Sequence, residues 1–160
     1  MNSSWGKRPP PTGGYGSGEA STAAATLAGR MGPTAGKTVL VVEDDPALRL
    51  LCRVNLELEN YRVIEAETTA AARNLLEREA PDVVLLDVHL GEEDGRDLLA
   101  EIRAQSPRTP VALFTGTADA EEVNRSNPDG LLRKPFSLEE LSATVLRLVT
   151  EGSSGRLERR

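Results

Sequence analysis

The sequence predicts an α/β protein, a doubly wound sheet of five parallel strands, on three observations. From Thr38 onward, short apolar runs alternate five times with amphipathic stretches. Within the runs, successive positions are apolar instead of every second one, as expected for parallel strands covered on both faces. The stretches between them carry helix-cap signals, which places helices in the crossovers.

Val39 to Val42 form the first strand. Asp45 followed by Pro46 marks a helix start, an N-cap with proline at the first helical position. Leu48, Leu51, Cys52 and Leu56 then fall on one face, with Cys52 read as a small core residue. Tyr61 to Ile64 give the second strand, and Leu75 with Leu76 the inner face of the second helix. Val83 to Val88 give the third strand, and Leu98, Leu99 and Ile102 the third helix. Val111 to Phe114 make the fourth strand. The stretch from Asp119 to Pro128 is polar, with Val123 its one large apolar residue, so a fourth helix there has little to bury and should be marginal. Leu131 and Leu132 mark the fifth strand. Ser137 and Glu140 form a capping box, after which Leu138, Leu141, Val145 and Leu148 make the stripe of a closing helix. Right-handed crossovers in a sheet of this size give a flavodoxin-like strand order, with its crevice at the carboxyl ends of the strands.

The domain is expected over residues 38–150. Residues 1–37 hold runs of Gly, Pro and Ala without an apolar period and read as a disordered arm, while 151–160 read as a short polar tail. Of the net charge of −6, the arm contributes +3 and the tail +1, which leaves the core at about −10. That charge repels phosphate backbones and argues against nucleic-acid binding by the domain itself. No stretch is long or apolar enough to span a membrane or to serve as a signal peptide. The single cysteine and single histidine, Cys52 and His89, exclude an internal disulfide and a zinc cage. A cytoplasmic protein is expected. The segment from Gly32 to Thr38 resembles a phosphate-binding loop only loosely: its glycines are one residue too close, and it precedes a strand instead of following one.

Four strands end in reactive side chains: the first in Glu43, Asp44 and Asp45, the third in Asp87, the fourth in Thr115, the fifth in Lys134. A doubly wound sheet brings these tips together. Carboxylates crowded there raise one another's pKa unless a cation lies among them, and an all-oxygen donor set suits Mg2+, or Mn2+ in its place. With such a cation present, Asp87 stays ionised and can attack phosphorus as a carboxylate nucleophile. The core holds eleven arginines but one lysine, Lys134, followed by Pro135 in a candidate cis peptide. A compact point charge has been kept where a phosphate oxygen would need one.

Glu43-Asp44-Asp45-Pro46, the segment from Leu85 to Leu90 with Gly95 eight positions after Asp87, Phe114-Thr115-Gly116, and Lys134-Pro135-Phe136 together resemble the receiver domain of two-component response regulators. The resemblance covers residues 38–150. It implies that Asp87 is the phosphoacceptor and that Glu43 and Asp44 hold the metal together with Asp87 and the main-chain carbonyl of His89. It further implies that the Thr115 hydroxyl bonds the incoming phosphoryl group and that Lys134 pairs with it. Asp45 falls one place beyond the acidic pair and is given to the helix cap. The His89 imidazole is expected to face solvent. Leu131 stands where many receivers carry an aromatic residue, and Thr115 to Lys134 is a short spacing of 19. Both features are similar to a subgroup of single-domain receivers. This implies signalling through the weak fourth helix.

The expected function is therefore a stand-alone phosphoacceptor receiver, a signalling domain and not an enzyme in its own right. Its phosphodonor would be a histidine kinase or histidine phosphotransfer protein, and its output would be a downstream protein or phosphoryl relay without a DNA-binding domain. The alternative is a receiver-like interaction module that works without phosphorylation. A phosphohydrolase of the haloacid-dehalogenase type also uses an aspartate nucleophile at a strand end. It wants a second carboxylate two residues later, where this chain has His89.

Overall fold

The structure, a computed structural model, describes residues 35–116 and 120–158. The arm expected over residues 1–37 lies outside the described residues as far as residue 34. Five parallel strands, β1 (Thr38–Val42), β2 (Arg62–Ala66), β3 (Val83–Asp87), β4 (Val111–Thr115) and β5 (Gly130–Arg133), form one sheet in the order β2-β1-β3-β4-β5. Helices α1 (Pro46–Leu58), α2 (Thr69–Glu79), α3 (Gly95–Gln105), α4 (Ala120–Arg125) and α5 (Leu138–Glu158) fill the crossovers and close the chain. A small antiparallel ribbon, His89–Leu90 against Glu93–Asp94, lies in the loop between β3 and α3.

Every residue of β1, β3 and β4 is buried, which is why their sequences show no alternation. Alternate side chains still point to opposite faces. Val39, Val41, Val83, Leu85, Ala112, Phe114 and Leu132 meet Cys52 and Leu56 of α1 and Leu141, Val145, Leu148 and Val149 of α5. Leu40, Val42, Val84, Leu86, Val111 and Leu113 meet Ala72 of α2, Leu98, Leu99 and Ile102 of α3, and Val123 of α4. Two apolar layers thus pin the sheet from both sides and hold the strand ends in fixed register.

The helix starts follow their cap chemistry. Asp45 accepts from Ala47 N–H at 3.0 Å with Pro46 opening α1, and Thr68 accepts from Ala71 N–H at 3.1 Å before α2. At α5 the Glu140 N–H donates to Ser137 Oγ at 3.0 Å, while Ser137 N–H donates back to Glu140 Oε2 at 3.3 Å. Cys52 is buried in the core, as expected, and burial pushes its thiol up to about 12. The Lys134–Pro135 bond is cis.

Three expectations are corrected. Leu51 is 46% exposed: the inward line of α1 is Leu48, Cys52 and Leu56, and one residue off that line turns the side chain about 100° away. The side of α1 toward α5 is occupied by polar contacts, with Asn55 donating to Ser142 Oγ at 3.0 Å and that hydroxyl donating to Glu59 at 2.7 Å. Leu138, the first residue of α5, is 40% exposed, and Val149 extends the buried stripe at the other end. Finally, α5 runs on to Glu158, so most of the segment expected as a polar tail is helical. Among the described residues no helix is long and apolar enough to cross a membrane.

Candidate functional site

Parallel strands deliver their carboxyl ends to one edge of the sheet, and the register sets what meets there. Val42 pairs with Leu86, and Asp87 with Phe114. Glu43 therefore follows β1 beside Asp87, the last residue of β3. Glu43 is wholly buried, Asp87 nearly so, and Asp44 is exposed at the rim. One carboxylate oxygen from each lies within 4.8 Å of the others. Lys134, just past β5, reaches across this group, with its Nζ 3.0 Å from Asp87 Oδ2 and 3.2 Å from Glu43 Oε1.

The electrostatics follow from three acids and one cation. Burial, and then the neighbouring Asp87 carboxylate, push the Glu43 carboxyl up from an ordinary 4.5 to about 8, against the opposing pull of the Asp45 N–H and the Lys134 charge. Burial works against the charge of Lys134, but the hydrogen bond and charge of Asp87, joined by those of Glu43, outweigh it and raise its pKa. One ammonium does not neutralise the cluster. The cost of that surplus falls on Glu43, the most deeply buried of the three acids. An all-oxygen set with excess negative charge in a small volume fits a hard divalent cation, and Glu43, Asp44 and Asp87 are the side chains that could hold it.

The backbone orients these carboxylates. Asp45 N–H donates to Glu43 Oε2 at 3.1 Å, His89 N–H to Asp87 Oδ1 at 3.1 Å, and Gly91 N–H to Asp44 Oδ2 at 3.0 Å. Gly91 has φ +61, in the left-handed region open to glycine. Gly95 closes the loop: its N–H donates to the Val88 carbonyl at 2.6 Å, and a Cβ at this position would overlap the Asp87 carbonyl oxygen.

Sequence reasoning brought Glu43, Asp44, Asp87 and Lys134 to one crevice, and the structure gathers all four. Thr115 ends β4, buried, and its hydroxyl donates to the Gly116 carbonyl at 3.1 Å; the Lys134 N–H bonds the Thr115 carbonyl at 2.8 Å. The threonine and lysine backbones are thus tied while the Thr115 side chain is turned aside. The His89 side chain is exposed and its backbone faces Asp87. Asp45 caps α1 and also orients Glu43. Two contributions were not foreseen. Arg49, on the first turn of α1, donates to the Glu43 carbonyl at 2.7 Å and to Glu65 Oε1 at 3.2 Å, bracing the end of β1 from behind. Phe136 stacks on Phe114 with ring centroids 5.1 Å apart, anchoring the chain just after Lys134. The Lys134-Pro135-Phe136 motif marks this residue, but not its stacking on Phe114.

Comparison with known proteins then decides the family. Residues 39–146 match the response regulator receiver domain. The chain belongs to the response regulator receiver family. It is 37% identical over 114 residues to the probable transcriptional regulatory protein TcrX of Mycobacterium tuberculosis, covering 69% of this chain and 47% of that protein. It is 35% identical over 118 residues to the virulence transcriptional regulatory protein PhoP of Salmonella typhimurium, covering 72% and 53%. The chain thus spans about half the length of these relatives. Among solved structures it resembles the receiver domain of NtrX from Brucella abortus at a TM-score of 0.67 and 29% identity, over 70% of this chain and 98% of that one. It also resembles the signal receiver domain of a Luxo repressor protein from Vibrio parahaemolyticus at 0.69 and 25%, over 78% and 98%. The doubly wound receiver fold, with its acidic crevice, is therefore that of a two-component signalling domain.

Proposed function

We propose that Asp87 is the phosphoacceptor of this receiver and that a histidine kinase or histidine phosphotransfer protein supplies the phosphoryl group. The observation that carries this reading is the Lys134 ammonium, 3.0 Å from Asp87 and 3.2 Å from Glu43, inside a cluster of three carboxylates. A lone lysine in a domain otherwise furnished with arginine sits where a phosphoryl oxygen would arrive.

An Asp87 carboxylate oxygen attacks phosphorus, the P–N bond of the donor phosphohistidine breaks, and the imidazole leaves and takes up a proton. Water reverses the modification by attacking phosphorus, giving back the carboxylate and inorganic phosphate. Glu43, Asp44 and Asp87, with the His89 carbonyl, would hold Mg2+ or Mn2+. Such a cation supplies charge neutralisation on the transferring phosphoryl oxygens. The backbone N–H groups of His89 and Gly91 keep Asp87 and Asp44 facing the crevice. Lys134 leaves Asp87 Oδ2 for the phosphoryl group, and Thr115 turns its hydroxyl from the Gly116 carbonyl to the same group.

Output then runs through a protein partner or onward phosphoryl transfer, since the charge of about −10 on residues 38–150 opposes contact of this domain with a phosphate backbone. The test is intact mass after incubation with Mg2+ and acetyl phosphate, beside Asp87→Asn. One phosphoryl adduct that needs both the metal and Asp87 is expected. No adduct, with beryllofluoride also failing to bind, would overturn the reading and leave a phosphorylation-independent interaction module.

A further inference from the structure

Five polar or charged side chains are buried among the described residues: Thr38, Glu43, Thr69, Asp87 and Thr115. Glu43, Asp87 and Thr115 belong to the crevice. Thr38, at the start of β1, closes the opposite end of the sheet, where its N–H meets Asp82. Thr69 has neither role. It is the first residue of α2, and its N–H and hydroxyl both donate to one carboxylate, that of Glu93, at 3.1 and 2.7 Å. Glu93 lies in the ribbon of the β3–α3 loop, the loop whose His89 and Gly91 N–H groups grip Asp87 and Asp44.

This loop is held at both roots, by Asp87 within β3 and by the Gly95 to Val88 hydrogen bond. Between the roots, Leu90 is buried in the core, the Gly91 N–H meets Asp44, and Glu93 pairs with Leu90 across the ribbon. There the Glu93–Thr69 contact supplies a fastening outside the crevice, made to a helix that contributes nothing else to the site described. The two hydrogen bonds hold the Glu93 carboxyl below its ordinary range, with the Arg73 charge adding to the effect. Arg73, one turn along α2, is engaged in a bidentate pair with Glu101 of α3 at 2.8 Å for both bonds. The α2–α3 side thus carries two latches, of which one touches the loop and the other does not.

We propose that Glu93 is a positioning residue: by clamping the second strand of the β3–α3 ribbon onto the buried Thr69, it holds the His89 and Gly91 backbone at the geometry that presents Asp87 and Asp44 to a divalent cation. The inference rests on the metal-binding reading above. A carboxylate that orients ligating groups through a second layer of hydrogen bonds typically sets metal affinity by an order of magnitude or more. Glu93 is exposed, so its replacement leaves the core intact.

The test is Mn2+ binding by calorimetry to the full chain, with melting followed in the absence of metal. Glu93→Ala is expected to weaken binding roughly tenfold. Glu93→Gln, which keeps an oxygen for the Thr69 hydroxyl, is expected to recover most of that loss. Arg73→Ala, which opens the Arg73–Glu101 pair between α2 and α3 but keeps both Glu93–Thr69 hydrogen bonds, is expected to leave binding unchanged. Wild-type affinity in Glu93→Ala, or equal losses in Glu93→Ala and Arg73→Ala, would overturn the inference while leaving the metal site standing. A wild-type chain that binds no Mn2+ would overturn the metal-binding reading and this inference with it.

Discussion

On one flank of the crevice, the loops after β1 and β3 hold their carboxylates by three backbone N–H groups, an arginine braced behind Glu43 and a carboxylate clamp onto α2. On the other flank, Thr115 turns its hydroxyl to the adjacent Gly116 carbonyl, and α4 is six residues long with Val123 as its buried apolar anchor. A rigid flank keeps charges in place against their mutual repulsion. A lightly held flank can change its arrangement at small cost, because little packing is lost when it moves. The contrast sets a braced part of the domain beside a lightly packed one, and on the proposed function the first binds and the second reports.

The sharpest way to break this division is to remove the one group that spans it. Lys134 hangs from the β5 side, where its N–H bonds the Thr115 carbonyl at 2.8 Å, and reaches the carboxylates of the rigid flank. Lys134→Ala is expected to slow phosphorylation by acetyl phosphate roughly 10²- to 10³-fold, the usual loss when one preorganised charge contact to a transferring group is removed, read as the rate of adduct formation by intact mass. A rate unchanged from wild type would mean that the two flanks do not share the reaction.

A second, smaller effect belongs to the rigid flank alone. Glu43 has its pKa raised to about 8, so below that pH a cation must displace its proton, and above it the carboxylate is already free. Mg2+ affinity is therefore expected to rise with pH, by up to roughly tenfold per unit below pH 8, and to level off above it. Titrations at pH 6.5, 7.5 and 8.5 measure this; an affinity independent of pH would remove Glu43 from the ligand set. The smallest effect is expected on the light flank. Amide exchange over residues 120–127 should change a few-fold when a phosphoryl analogue binds, while the β3–α3 loop changes less. Equal protection of α4 with and without the analogue would count against its role as the reporter.

The fold was legible because the fully buried strands wrote themselves as unbroken apolar runs, and the crevice because Glu43, Asp44, Asp87, Thr115 and Lys134 all sit at strand ends, whose convergence topology guarantees. What topology does not fix was not legible. Leu51 and Leu138 counted as inward because apolar residues at helical spacing define a broad stripe, whereas α1 buries only a single line of residues. The Glu93–Thr69 clamp joins residues 24 positions apart through a ribbon strand and a helix start, and nothing in residue type announces it. Arg49 had the look of any helix-surface arginine until the carbonyl of Glu43 was found at its guanidinium.

The hydrogen bond from Gly95 to Val88, together with the crowding that forbids a side chain at 95, makes the β3–α3 loop a closed ring hung from β3. For engineering, such a ring is an interchangeable cassette. Residues 89–94 could be exchanged for the corresponding loop of another receiver without disturbing Asp87, provided that the length is kept and the incoming loop brings an apolar residue at 90, a glycine at 91, a carboxylate at 93 to meet Thr69 and a helix-capping side chain at 94. A change of length would pull on Asp87 itself, so this loop is bound in size as well as at Leu90, Gly91, Glu93 and Asp94, which leaves variation to residues 89 and 92.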